Sequence, residues 1–137
     1  MTENISRPKL TREQQILLGH TGTVEQVLAI IAGSPIKVKV TKQKGVDVIE
    51  REAILTAKCR VLVRARSKIY CKNLPAGIVR QVGQKRKGIG AIIASSRLET
   101  FRKVVRVGRN PDGSPYRIYR IMHGGKVAFE IREDLLV

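Results

Sequence analysis

The sequence has no tryptophan, and Phe, Tyr and Trp together make up 4% of its 137 residues. So few rings give a single-stranded nucleic acid little to stack on. Cysteine is almost missing as well. Cys59 and Cys71 stand far apart with no CxxC spacing, and His20 and His123 do not complete a ligand set. A structural zinc site needs about four closely spaced ligands, so no metal is expected, and both cysteines are expected as reduced, buried thiols. No apolar run approaches the roughly 18 to 20 residues that span a bilayer. The opening stretch MTENISRPKL has no apolar core, which speaks against a secretory signal. A cytoplasmic protein without membrane contact is the expectation. Acidic residues are scarce, 11 Asp and Glu against 27 Lys and Arg, giving a formal charge of +16. Such a field draws anions, and nucleic acid is the first partner to weigh. The charge is spread along the whole chain, however, and no zinc-finger or RRM signature accompanies it. A basic nucleic-acid-binding protein is therefore the third of three readings, with nucleic acid a disfavoured partner.

What is present suits one domain. An apolar fraction of 42% is ordinary for a globular chain, and this length buries enough surface to fold without staples. Residues 1–10 read as a flexible leader and 11–137 as the domain. Thr11 and Gln14 form a T-x-x-Q capping box that opens a short helix to about Leu18. Thr23 and Gln26 repeat the rule, and Val24, Val27, Leu28 and Ile31 then fall on one helical face. Gly33 and Pro35 end that helix. Ile36 to Val40 alternates as a strand, Lys42 to Gly45 reads as a turn, and Val48–Ala57 and Arg60–Ile69 read as strands. Leu74 to Val82 and Ile89 to Ser95 read as helices around a basic loop at Lys85 to Gly88. Arg97–Val107, Tyr116–Met122 and Lys126–Leu135 read as a final meander, the last two strands joined by a Gly124-Gly125 turn. The fold class is α+β: a single antiparallel β-sheet with helices packed on one face.

Strand parity exposes two charges on the apolar side. Arg51 shares a face with Ile49, Ala53 and Leu55. Glu133 shares one with Val127, Phe129, Ile131 and Leu135. A lone buried charge costs several kcal/mol, so each needs a partner. One reading is a pocket, with Arg51 gripping an anion and Glu133 handling a hydroxyl or proton. The other is a structural Arg51–Glu133 ion pair. Two helix starts, at Gly22-Thr23 ahead of Val24 and at Gly88 ahead of Ile89, offer unpaired N–H groups to an anion. The basic stretch from Gly83 to Gly88 lacks the Gly-Lys-Ser/Thr ending of a phosphate loop, which excludes a nucleotide site.

Four blocks carry a family resemblance. They are Thr21-Gly22-Thr23 followed by Val24-Glu25-Gln26-Val27-Leu28; Arg51-Glu52-Ala53-Ile54-Leu55; Gly88-Ile89-Gly90 running through Ala94-Ser95-Ser96-Arg97-Leu98-Glu99-Thr100-Phe101; and Tyr119-Arg120-Ile121 through Gly124-Gly125 to Glu133. In this order, over roughly residues 11 to 135, the chain resembles the chorismate pyruvate-lyases (4-hydroxybenzoate synthases), in particular their short archaeal, mycobacterial and cyanobacterial branch. The resemblance implies a closed pocket between sheet and helices. It implies elimination of pyruvate from chorismate to give 4-hydroxybenzoate, without metal or other cofactor. Arg51 and Glu133 would be the catalytic pair. Val24, Ile89 and Gly90 would join them in binding substrate, the N–H groups of Val24 and Ile89 meeting the ring carboxylate beside Arg51. Departures occur at Arg132-Glu133-Asp134-Leu135, where the family tends to Thr-Glu-x-Phe, and in short segments before Arg51 and at Asn110–Pro115. For Arg97, Arg117 and Arg120 a structural place competes with substrate contact. The second reading is a non-catalytic sensor of aromatic acids on the same fold, as in the effector domains of one regulator class. The roughly ten residues ahead of the first helix are expected to leave no room for the winged helix those regulators carry. Oligomeric state stays open at this stage.

Overall fold

The computed structural model describes residues 9–19 and 24–137. Gly22, Thr23 and most of the leader lie outside the described residues. The elements run α1 (Arg12–Gly19), α2 (Val24–Ala32), β1 (Lys37–Lys44), β2 (Val48–Ala57), β3 (Arg60–Tyr70), a single 3-10 turn (Cys71–Asn73), α3 (Ala76–Gly83), α4 (Ile89–Ser96), β4 (Phe101–Arg109), β5 (Pro115–His123) and β6 (Lys126–Leu135). All strand pairings are antiparallel, in the order β1-β2-β3-β6-β5-β4. Among the described residues the fold is α+β, a six-stranded antiparallel sheet with four helices.

Local chemistry accounts for most boundaries. The capping box forms as expected: the Thr11 N–H donates to Gln14 Oε1 at 3.0 Å and the Gln14 N–H to Thr11 Oγ1 at 3.1 Å. Gly33 turns the chain out of α2 at φ +62°. Gly124 and Gly125 both take positive φ in the β5–β6 hairpin, as a two-residue primed turn requires.

Three expectations are corrected. Lys42 to Lys44 are strand, not turn: a bulge between Val40 and Lys42 breaks the alternation, and pairing with β2 then resumes. β4 begins at Phe101, four residues past Arg97, because Arg97 takes a left-handed conformation that caps α4. Cys59 is exposed and Cys71 half-buried. Lys58 and Cys59 form the two-residue β2–β3 turn, both at positive φ, so Cys59 sits at a hairpin tip.

The apolar side chains gather in two clusters. One joins α1 and α2, through Leu17, Leu18, Val24 and Leu28, to Leu55, Val63 and Leu135 of the sheet. The other joins α3 and α4, through Ile78, Val82, Ile89, Ile92 and Ile93, to Ile49, Ile69, Tyr119, Phe129 and Ile131. Fully burying a Leu, Ile or Phe contributes about 1.5–3 kcal/mol, so these contacts hold the helices to one face of the sheet. Two rows cross that face between the clusters. One runs Arg51, Ser67, Ile131, Tyr119; the next runs Ala53, Ala65, Glu133, Arg117. Polar groups thus occupy the seam where neither pair of helices closes over the sheet.

Candidate functional site

A cavity of about 60 Å³ opens over this seam. β2 and β3 form its floor, with Arg51, Ala53, Leu55, Ala65 and Ser67. β4, β5 and β6 add Arg102, Tyr119, Ile131 and Glu133. Its roof comes from the first turn of α2, with Val24 and Glu25, and from Gly88, Ile89 and Gly90 at the start of α4. All five residues expected at the site, Val24, Arg51, Ile89, Gly90 and Glu133, line this one cavity. A larger open trough of about 420 Å³ runs along the strands, lined chiefly by exposed side chains such as Lys42, Lys44, Glu50, Arg66 and Lys68. Ligand sites combine enclosure with a few convergent polar groups. The smaller cavity gathers Arg51, Glu133, Tyr119 and Arg102 beneath the α2 and α4 starts.

Parity places Arg51 and Glu133 inward, and they are 3% and 2% exposed. They are not paired with each other. Arg51 donates from Nε to Gln43 Oε1 at 2.9 Å, from Nη1 to the Lys87 carbonyl at 2.8 Å and from Nη2 to the Val82 carbonyl at 2.9 Å. Gln43 Nε2 donates to the same Val82 carbonyl at 3.1 Å. β1 and β2 thereby clamp the end of α3 and the loop leading to α4. Burial holds the Arg51 pKa below its ordinary value, yet an arginine stays charged at any physiological pH. Of its five donors three are engaged, and the rest can serve an anion in the cavity.

Glu133 has Arg117 as its partner. Arg117 Nε donates to Glu133 Oε1 at 2.7 Å, both side chains being almost wholly buried. Of the three arginines for which a structural place competed with substrate contact, Arg117 therefore takes the structural place. The Tyr119 hydroxyl donates to Glu133 Oε2 at 3.2 Å. Burial first, and the Glu133 charge second, push the Tyr119 pKa well above its ordinary value, so this hydroxyl keeps its proton. The guanidinium carbons of Arg117 and Arg102 lie 4.5 and 5.6 Å from the Tyr119 ring centroid, within cation–π range. Each carboxylate oxygen of Glu133 has accepted one hydrogen bond and retains a second lone pair for a ligand hydroxyl.

Four polar lining residues, Tyr119, Arg102, Glu25 and Ser67, are not among the expected site residues, Ser67 standing opposite Arg51 on the inner face of β3. Tyr119 follows Arg117 at the strand period, so parity along β5 would have found it. Arg102 lies on β4 opposite Ile121, in a strand whose start was placed too early. Glu25, in the first turn of α2, packs so near Gly88 that a Cβ there would lie 2.7 Å from its Oε1. Burial raises the Glu25 pKa.

No family model matches the chain. A lyase candidate of Methanocaldococcus jannaschii is 33% identical over 147 aligned positions, covering 93% of this chain and 80% of that protein. The chorismate pyruvate-lyase of Mycobacterium tuberculosis is 27% identical, covering 93% of this chain and 81% of its own. Among solved structures, the effector domain of PhnF from Mycobacterium smegmatis aligns with a TM-score of 0.57 at 11% identity, over 83% of this chain and 88% of that domain. Whole PhnF aligns at 0.58 and 11% identity, over 85% of this chain. The chain spans 64% of whole PhnF and 57% of YydK from Bacillus subtilis, which aligns at 0.51 with 13% identity over 73% of this chain. At these identities the structural likeness is one of fold. The sequence likeness reaches further, over nearly the whole chain, and this protein belongs to the family of the Methanocaldococcus lyase candidate, with mycobacterial chorismate pyruvate-lyases among its more distant relatives.

Proposed function

We propose that this protein is a chorismate pyruvate-lyase acting in the cytoplasm, eliminating pyruvate from chorismate to leave 4-hydroxybenzoate. The observation that carries the reading is the meeting of Arg51, Glu133, Val24, Ile89 and Gly90 on one cavity. A positive fork, a buried carboxylate and two helix starts converge there. A ring carboxylate is held by the remaining Arg51 donors and by the N–H groups that open α2 and α4. Glu133, fixed by Arg117 and Tyr119, accepts a hydrogen bond from the ring hydroxyl.

The reaction asks little covalent work of the protein. The ring carbon bearing the hydroxyl loses its proton, and that electron pair completes the aromatic ring. The ether C–O bond breaks with its pair on the pyruvyl oxygen, and a proton ends on the pyruvyl methylene carbon, giving pyruvate. Aromatisation drives the step. The protein contributes orientation and placed charge.

Size sets a condition. An apolar cavity of about 150 Å³ takes benzene, whereas this one holds about 60 Å³. A ring therefore enters as the roof, Val24–Glu25 and Gly88–Gly90, draws back from the sheet. The decisive experiment mixes purified protein with chorismate and measures both products. Release of pyruvate and 4-hydroxybenzoate in equal amounts, above the uncatalysed rate, supports the reading; none at any pH between 6 and 9 refutes it.

The second reading is a binding module for aromatic acids. It is favoured by the narrow cavity and by the three acceptors that Arg51 already satisfies. Saturable binding of 4-hydroxybenzoate beside an absent lyase reaction would select it.

A further inference from the structure

Arg51 is one of two arginines on the cavity wall, and the other, Arg102, has no role in the reading above. Arg102 comes from β4, the far strand of the order β1-β2-β3-β6-β5-β4. Four strand steps separate it from β2, roughly 19 Å of sheet at about 4.8 Å a step. Both side chains line the one cavity, so their guanidiniums come to it from opposite sides of the sheet. The inner-face register, Arg102 opposite Ile121, sets its direction, and its place 5.6 Å from the Tyr119 ring centroid puts it beside the Glu133 end of the pocket. Arg117 is no candidate for the same task, because its charge is matched by Glu133 and it does not line the cavity. Arg102 already has an interaction within the chain. A guanidinium with five donors can keep that and still meet a carboxylate.

We propose that Arg102 anchors a second carboxylate, making this a site for ring compounds with two acidic groups, one toward each arginine. The proposal rests on the lyase reading for its natural ligand: chorismate has two carboxylates, and its enolpyruvyl carboxylate, unassigned so far, falls to Arg102. The product retains one carboxylate and loses this contact. Arg102 is thus a device for telling substrate from product.

The experiment compares two unreactive probes, benzoate and isophthalate, by titration calorimetry on the full chain. Chorismate turnover is assayed separately. Wild type is expected to bind isophthalate at least 10-fold tighter than benzoate. Arg102→Gln is expected to erase that preference while leaving benzoate within about 2-fold. Arg102→Lys, which keeps the charge, is expected to retain most of it, and thermal melts of both variants report whether the fold survives. A wild type with no preference, or an Arg102→Gln variant that weakens both probes equally, overturns the proposal. The pyruvate assay decides the lyase reading alone: protein that prefers isophthalate yet releases no pyruvate keeps the two-anchor site and loses the reaction.

Discussion

Replacing Arg51 by lysine tests how one side chain serves both scaffold and site. Arg51 holds three acceptors on three segments: Gln43 Oε1, the Val82 carbonyl and the Lys87 carbonyl. An ammonium is a compact charge without a planar fork, and it cannot reach all three. The Val82 carbonyl keeps its bond from Gln43 Nε2. One or two charge-assisted hydrogen bonds are lost outright, at about 1.5–3 kcal/mol each. The expected loss of stability is about 2–4 kcal/mol, read as a fall in urea midpoint. The Lys87 carbonyl lies just before the α4 start, so the Ile89 and Gly90 N–H groups shift with it. Transition-state binding should fall by about 2–3 kcal/mol, roughly 30- to 150-fold in kcat/KM for pyruvate release. A variant with unchanged midpoint and unchanged turnover refutes the reasoning. One that is destabilised but fully active shows Arg51 to be a clamp only.

Arg117→Leu leaves the Glu133 carboxylate buried without its charge partner, and a loss of about 3–5 kcal/mol is expected in urea denaturation; adding Glu133→Leu should restore most of it, and a single-variant loss below about 1 kcal/mol would sink the pairing argument. Glu25→Gln tests the raised pKa. The folded chain holds that proton to a higher pH than the unfolded chain does, so the carboxylate costs stability above the folded pKa and nothing below the unfolded one. Gln should therefore stabilise the protein at pH 7.5 and not at pH 4, and should tighten 4-hydroxybenzoate at pH 7.5 by removing a like charge; the same stability difference at both pH values would refute it. Gly88→Ala places a methyl 2.7 Å from Glu25 Oε1. Gly88 sits at φ −66°, which alanine adopts freely, so stability should change by less than about 1 kcal/mol while 4-hydroxybenzoate binding, by calorimetry, falls several-fold; unaltered affinity would show that this wall does not bound the site.

Legibility followed the range over which each feature is decided. The Thr11–Gln14 box and the Gly124-Gly125 turn depend on residues a few positions apart, and both form as read. The inward aim of Arg51 depends on the period of β2, which runs unbroken past it, and that of Glu133 on the part of β6 beyond Ala128, where a bulge resets the alternation. What those charges touch depends on register between strands. Bulges reset it at Val40/Lys42 and at Ile121/Met122, and no counting within a single strand detects them. Gln43 was hidden for that reason, since it lay in an expected turn. Arg102 was hidden because Arg97, in a left-handed cap, displaced the true start of β4. The Arg117–Glu133 pair required the β5–β6 register, in which Arg117 stands opposite Glu133. A structural Arg51–Glu133 pair was the natural alternative from parity alone, and cross-strand geometry is what separates them.

That separation bears on how the site can open. Glu133 is fastened sideways to the neighbouring strand, through Arg117 and Tyr119, so drawing a helix back does not disturb it. Arg51 is fastened upward, to the α3 end and the loop before α4, so lifting that loop would strip a buried guanidinium of its acceptors. Of the two roof segments, the α4 start is therefore the costly one to move. Among the described residues the α2 start shows no such tie: Val24 is held by apolar packing in the cluster with Leu28 and Leu55, which tolerates sliding better than directional bonds tolerate stretching. Glu25 shares that turn, partly desolvated beside Gly88, and its return to water offsets part of the packing lost when the turn withdraws. Access for a ring is thus expected at the α2 side, with Arg51, Glu133 and the α4 N–H groups staying in register for the ligand that arrives.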